Sequence, residues 1–336
     1  MVATEDFMTI SPMLDVRSEV LEADDRIRLH IRQTPLEPSL WLGQQAGCEV
    51  YLKLENLQVT SSFKYRGALN KILSLSEEER RRGIVTASSG NHGSAVAYLL
   101  RKFGLSGSIY IPETASSAKV ETLRTYSADL IILGTDGVET ETAARQAALD
   151  EGRVYIPPYN DPKIIGGQGT IGLELESQLE GIDAVFCPVG GGGLAAGIAG
   201  YLKSTDAQIH FVGCQPRNSA IMYESVRAGH IVDQPSKATL SDGTAGGIEE
   251  QSITFPVCRD RIDEYVLVDE DEIAAAIRLL LGKHHLLVEG AAVLSVASFL
   301  RLAEAYRGKR VVLIVSGARI SLETLKTVLD SADSGH

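Results

Sequence analysis

The stretch Ala184–Leu202, AVFCPVGGGGLAAGIAGYL, sets four consecutive glycines, Gly190 to Gly193, between an apolar run and a small-residue helical run. Apolar runs of this length bounded by glycine read as buried strands, and the segment after the glycines has helical spacing. The strand, turn and helix together are the repeating unit of a parallel sheet covered by helices. A tight strand-to-helix turn normally needs one or two glycines. Four let the backbone curl so that successive N–H groups converge, and the helix N-terminus adds positive potential, which makes a phosphate cradle. A dinucleotide site would need an acidic residue at the end of the next strand, about 20 positions on. The next strand, QIHFVGCQP, delivers Gln215 there, and no Gly-Lys-Ser/Thr follows the glycines. A smaller phosphate ester fits better.

Outward from this unit the same alternation recurs. EVYLKLEN, GIVTAS, GSIYIP, DLIILG, RVYIP, DEYVLVDE and RVVLIVSG read as strands, with helical patterns such as FKYRGALNKILSL and NHGSAVAYLLRKFG between them. The expectation is an α/β fold of two open, twisted parallel sheets with flanking helices. Residues 82–158 form a small domain inserted in a large one made of residues 1–81 and 159–336, with a ligand in the cleft between them.

The 336 residues, 44% of them hydrophobic, suffice for a sizeable core. With 32 Lys and Arg against 44 Asp and Glu the net charge is -12, which argues against nucleic acid or an anionic membrane as partner. Cys48, Cys187, Cys214 and Cys258 are scattered without a C-x-x-C pair, arguing against a disulfide framework or zinc site and for a reducing cytoplasm. The N-terminal MVATEDFMTISPMLD has acidic residues and no long apolar run, so no leader and no membrane span are expected.

Two further strands end in polar turns. TASSGNHGSAVAYLL carries Ser88, Ser89, Asn91 and His92 into a helix start, a combination suited to gripping a carboxylate or phenolate, or else an ordinary N-cap with a surface histidine. RVVLIVSGARISLETL places Ser316 similarly, where it could instead cap the last helix. All three turns fall at the C-terminal ends of parallel strands, where open α/β sheets bind ligands. Lys64, in TSSFKYRGA after small hydroxyl residues that could begin a helix, is the amine available to join them. A buried lysine has a lowered pKa and condenses with carbonyls, so pyridoxal 5'-phosphate satisfies both the lysine and the glycines.

SSFKYRGA, SSGNHG, GQGTIGLE, VGGGGL and the final VSG occur in the order seen in fold type II pyridoxal-phosphate enzymes (tryptophan synthase beta-like), and the chain most resembles the serine/threonine dehydratases (ammonia-lyases) and serine racemases. The resemblance implies that Lys64 binds the cofactor as a Schiff base with Phe63 beside it, and that Asn91 meets the phenolate oxygen. It also implies that Gly190, Gly191, Gly192, Gly193 and the Leu194 amide hold the phosphate, and that Ser316 meets the pyridine nitrogen. Ser88, Ser89, Asn91 and His92 look like the substrate carboxylate loop, and Ser89 stands where racemases hold an opposite-face acid/base. The implied reaction converts L-serine or L-threonine to a 2-oxo acid and ammonia, with Lys64 taking the Cα proton. A small-molecule substrate and a homodimer go with the family.

Departures from the family bear on substrate and regulation. Ala318 and Arg319 stand where many dehydratases read Gly-Asn, and the added cation could favour a substrate with a second carboxylate. Gln215 and Ile221 stand near the position of acidic metal ligands in metal-dependent members, so no divalent cation is expected there. No appended regulatory domain is expected, which favours a catabolic role. Racemase, β-replacement synthase and dehydratases of 3-hydroxyaspartate, phenylserine or hydroxyectoine-derived amino acids remain as alternatives. Glu289 in LLVEGAAVL is expected to begin a helix near the cofactor ring, or simply to favour the helix dipole. Lys119, Arg124 and Lys163 read as solvated charges.

Overall fold

In the run Arg310–Val315 alternate residues enter different cores: Val311, Leu313 and Val315 face one side, Val312 and Ile314 the other, all fully buried. A strand apolar on both faces must be covered on both, as parallel strands between helical layers are. In the computed structural model, which describes residues 14–331 except 127, this is the tenth strand. Residues 1–13 and 332–336, included above in the large domain and in the reading of the N-terminus, lie outside the described residues.

The strands are β1 (Leu36–Pro38), β2 (Glu49–Leu54), β3 (Ile84–Ala87), β4 (Gly107–Ile111), β5 (Asp129–Ile132), β6 (Val154–Tyr155), β7 (Ala184–Pro188), β8 (His210–Pro216), β9 (Glu264–Val268) and β10 (Arg310–Val315). They form two sheets, one ordered β1-β2-β10-β7-β8-β9 and the other β5-β4-β3-β6. Only the β1–β2 pairing is antiparallel among the described strands. The expected α/β architecture with two parallel sheets is therefore the one observed. β10 pairs with β7 so that Leu313 lies opposite Phe186, which brings Ser316 level with Val189 at the mouth of the glycine turn.

Helix Pro162–Gln178 ties the large sheet's covering layer together. It is capped by Asp161, whose side chain accepts the Lys163 and Ile164 amides, and it opens on a proline, the residue suited to a first helical position. The helix starts earlier than its apolar pattern suggests because that cap and proline precede the pattern. Its glycines allow direct backbone approach. A Cβ on Gly167 would stand 2.7 Å from the Arg66 carbonyl oxygen, on the helix Lys64–Ser74, and one on Gly197, in helix Gly193–Thr205, would stand 2.5 Å from the Ile165 carbonyl oxygen. The GQGTIGLE run is thus where the lysine helix and the glycine-turn helix both seat. Among the described residues no helix is long and apolar enough to cross a membrane.

Candidate active site

Lys64 is the first residue of its helix, with Phe63 as an N-cap that makes no side-chain bond. The hydroxyl residues before it do not begin the helix. Thr60 and Ser61 both have positive φ, 63° and 61°, a costly conformation for residues with a Cβ. The loop after β10 holds this segment in place, because the Phe63 amide donates to the Ser316 carbonyl at 3.1 Å and the Ala318 amide to the Ser61 carbonyl at 3.0 Å. Lys64 is half-buried, and its Nζ donates to the Pro158 carbonyl at 2.7 Å and lies 5.3 Å from the Phe63 ring centroid. Burial lowers the Lys64 pKa to about 8, against a smaller upward pull from Glu289. An amine at that value is partly free base near neutral pH, as nucleophile and proton acceptor both require.

The glycine turn is crowded by other chain segments. A Cβ on Gly191 would lie 2.5 Å from the Tyr159 ring, one on Gly193 2.9 Å from Tyr159 Cβ, and one on Gly190 3.0 Å from Thr244 Cα. Gly192 has φ +88°, and a Cβ there would lie 2.8 Å from Met222 Cε and 2.9 Å from Cys258 Sγ. Thr254 Oγ1 donates to the Gly191 carbonyl at 2.6 Å, which satisfies that oxygen and fixes its peptide. The amides of Gly193, Leu194 and Ala195 open a helix and have no intrahelical carbonyl to bond. Tyr159, from the turn-rich PPYND crossing, was not singled out by sequence reasoning; its half-buried ring packs directly on Gly191, where a Cβ would collide with it.

Beyond β3, Gly90 caps the helix Asn91–Phe103 without a side-chain bond, and Ser88 Oγ accepts the Gly90 amide at 3.2 Å. Ser89 Oγ makes no hydrogen bond among the described residues and keeps partial exposure. His92 is buried rather than a surface cap. Its Nε2–H donates to the Ile156 carbonyl at 3.0 Å, its Nδ1 is buried without a partner, and burial with the nearby Lys64 charge lowers its pKa to about 3. The imidazole is therefore neutral, and what His92 offers the loop is its backbone. Asn91 Nδ2 donates to both oxygens of Glu289, at 2.8 and 3.0 Å, while its Oδ1 is buried without a partner.

Several expectations need correction. Glu289 does not begin a helix: it lies in the loop before helix Leu294–Leu302, 4% exposed, so a dipole role does not apply. Burial raises its pKa to about 6, with the Asn91 hydrogen bond opposing. Ser316 does not cap the last helix, which Ser321 caps instead by accepting the Thr324 amide; Ser316 is buried at the end of β10. Lys119 and Lys163 are paired, with Asp242 at 3.0 Å and with Glu19 and Glu22 at 2.9 Å each. Gln215 is buried, and its Oε1 accepts the Tyr223 amide at 2.8 Å.

Two residues beyond Lys64, sequence reading passed over a buried ionic cluster. Arg66, wholly buried, bonds Glu55 at 2.8 Å through both Nε and Nη2 and Glu174 at 2.8 Å through Nη1. Glu174 also takes a 2.6 Å bond from Lys53, itself wholly buried, and a 2.8 Å bond from Arg28. Burial pushes the Glu174 carboxyl up, but Arg66 and Lys53 more than offset it and hold it at about 2. Glu174 stands more than a hundred positions from Arg66, Lys53 and Arg28, and no local pattern announces the cluster.

The fit to pyridoxal phosphate rests on three observations. An enclosed lysine amine has a lowered pKa, a glycine turn that side chains would fill presents its amides at a helix start, and the Asn91 carboxamide carries an orphaned buried oxygen. Together with the paired sheets they define a pyridoxal-phosphate enzyme of fold type II. The description "Pyridoxal-phosphate dependent enzyme" matches residues 27–317. The chain belongs to that family and, within it, to the group of serine/threonine dehydratases and serine racemases. It is 38% identical over 312 residues to an L-threonine ammonia-lyase of Geobacter sulfurreducens, covering 93% of this chain and 77% of the relative. The processed form of threonine deaminase isoform 2 from Solanum lycopersicum superposes with a TM-score of 0.89 at 33% identity, covering 95% of this chain and 93% of that one. Serine racemase from Dictyostelium discoideum superposes with a TM-score of 0.84 at 34% identity, covering 91% and 98%.

Proposed function

We propose that this enzyme deaminates a β-hydroxy amino acid, L-threonine or L-serine, to a 2-oxo acid and ammonia, the water lost from the β-carbon being returned when the released enamine tautomerises and hydrolyses. The observation that carries the reading is the Lys64 amine, with its pKa lowered to about 8, bonded to the Pro158 carbonyl next to the Tyr159 that packs on the glycine turn, and near enough to His92 for its charge to act there. Pyridoxal phosphate, when bound, supplies the aldehyde that condenses with an amine and the electron sink that acidifies the Cα proton. In this reading the amides of Gly190 to Leu194 bind its phosphate, Phe63 packs beside its ring, Asn91 donates to its phenolate oxygen and Ser316 meets its pyridine nitrogen. Ser88, Ser89, Asn91 and the His92 amide grip the substrate carboxylate. Lys64 removes the Cα proton and later returns to hold the cofactor.

The same proposal divides the chain into a large domain, residues 1–81 and 159–336, and a small one, residues 82–158, with the site in their cleft, and makes the protein a cytoplasmic homodimer. The four cysteines, none in a disulfide, support a reducing compartment. A second substrate reading has one observation in its favour. The Arg319 guanidinium donates to the Thr60 carbonyl through Nε at 3.3 Å, while its Nη groups make no hydrogen bond among the described residues. A β-hydroxy amino acid with a second carboxylate, 3-hydroxyaspartate, is what such a fork would select.

The test is oxo-acid release from L-threonine, L-serine and 3-hydroxyaspartate, alongside borohydride labelling of Lys64. Expected is release that disappears in Lys64→Ala. A labelled lysine with no oxo acid from any of the three, but a change in substrate chirality, would move the function to racemisation.

A further inference from the structure

The Glu289 carboxylate is clamped on every side. Its Oε2 accepts the Arg319 amide at 3.0 Å, its own amide donates to the Gly317 carbonyl at 3.1 Å, and a Cβ on Gly317 would come within 2.5 Å of Oε1. A clamped carboxylate cannot turn to suit its neighbour, so the neighbour must suit it. That neighbour is Asn91, which presents Nδ2 to both oxygens and leaves Oδ1 buried without a partner. An ionised carboxylate only accepts hydrogen bonds, so it demands the NH2 end of the amide; a protonated one can donate to the oxygen end.

We propose that Glu289 is a positioning residue whose protonation state selects which end of the Asn91 carboxamide is held and which is released toward the bound cofactor. This rests on the function proposed above, in which Asn91 is the group that meets the cofactor's phenolate oxygen. While Glu289 is ionised the NH2 group is shared with the carboxylate. Once Glu289 is protonated the amide can turn, pairing the orphaned Oδ1 with the carboxyl proton and freeing both N–H bonds.

The charged groups facing Glu289 pull in different directions. Asp242, on the loop beside Gly243, opposes ionisation, and Arg319, on the loop after β10, favours it. Lys64, across the site, has its own charge supported by Glu289. With burial the dominant influence, the Glu289 pKa of about 6 puts the change within reach of ordinary pH.

The visible absorbance of the cofactor-loaded protein, titrated from pH 5 to 9, tests this in four forms: wild type, Glu289→Gln, Asn91→Ala and the double variant. Circular dichroism checks that each is folded. Expected is a wild-type absorbance transition near pH 6 that is absent from Glu289→Gln and from both Asn91→Ala forms. Expected also is a kcat about tenfold lower in Glu289→Gln, the worth of one hydrogen bond to a charged group, with KM within about twofold. Adding Glu289→Gln to Asn91→Ala should then cost nothing more, because residues acting through one contact are not additive. A transition that survives in Glu289→Gln, or an equal effect of that substitution in both backgrounds, overturns the positioning role while leaving the function intact. Wild-type protein that acquires no cofactor absorbance overturns the proposed function, and this inference with it.

Discussion

Replacing Glu174 with glutamine removes one negative charge from a cluster that holds two wholly buried cations, Lys53 and Arg66. Arg66 keeps both of its bonds to Glu55. Lys53 keeps only the Thr34 carbonyl at 2.9 Å and Gln178 Oε1 at 2.8 Å, neither of them charged. Breaking a buried ion pair by removing one partner costs about 3–5 kcal/mol. Lys53 has one escape, which is to give up its proton. From an ordinary pKa of about 10.4, that costs about 4.6 kcal/mol at pH 7 and about 1.9 kcal/mol at pH 9. The folded variant then carries a neutral Lys53 while the unfolded chain keeps it protonated. The unfolded state binds more protons, so the variant's stability rises with pH up to the unfolded pKa. The expected loss is therefore about 3–5 kcal/mol at pH 7, shrinking to about 2 kcal/mol at pH 9. Urea unfolding followed by the fluorescence of Trp41, the one tryptophan in the chain, compares the two proteins at both pH values. A loss below about 1 kcal/mol at pH 7, or one that is the same at pH 9, would refute the account of this cluster.

Gly192→Ala forces a Cβ into positive φ, costing about 1–2 kcal/mol before the contacts with Met222, Cys258 and Thr254 are counted. A lower thermal midpoint and faster loss of cofactor on dialysis are expected. His92, held at a pKa of about 3 against about 6.5 unfolded, makes the unfolded state the better proton binder between those values, so stability falls as pH drops through that window. His92→Gln, which keeps a donor toward the Ile156 carbonyl, is expected to flatten the acid limb of a stability-against-pH curve by up to about 1.4 kcal/mol per pH unit. In Arg319→Asn, the ratio of kcat/KM for 3-hydroxyaspartate over L-threonine is expected to fall about tenfold or more, the worth of a charged hydrogen bond; an unchanged ratio removes the second-carboxylate reading.

What could be read from the sequence was whatever the backbone decides locally. The strand-turn-helix unit at Ala184–Thr205 was legible because glycines, apolar runs and helical spacing act over a few residues, and Lys64 stood out by its company of small and aromatic neighbours. Glu289 was placed near the ring but given the wrong local structure, because its four-residue separation from helix Leu294–Leu302 is set by the Gly317 loop packed against it. Arg66, Glu174, Tyr159 and the orphaned Asn91 oxygen could not be read at all. Their meaning lies in pairs such as Arg66 with Glu174, 108 residues apart. Periodicity carries no record of such distances.

The two glycine contacts of helix Pro162–Gln178 act as a ruler for the chemistry. On one flank Gly167 meets the backbone of Arg66, two residues from Lys64; on the other the Ile165 carbonyl meets Gly197, four residues from the start of helix Gly193–Thr205. No side chain stands between these backbones to swell, shrink or change rotamer. Under the proposed function, the span from the Lys64 amine to the glycine turn that would hold the phosphate is thereby set in units of peptide thickness, and a single methyl group added at either contact would lengthen it. Drift in the surrounding core can be absorbed without retuning that span, whereas a designer wishing to seat a longer or shorter cofactor would have to begin at these two glycines.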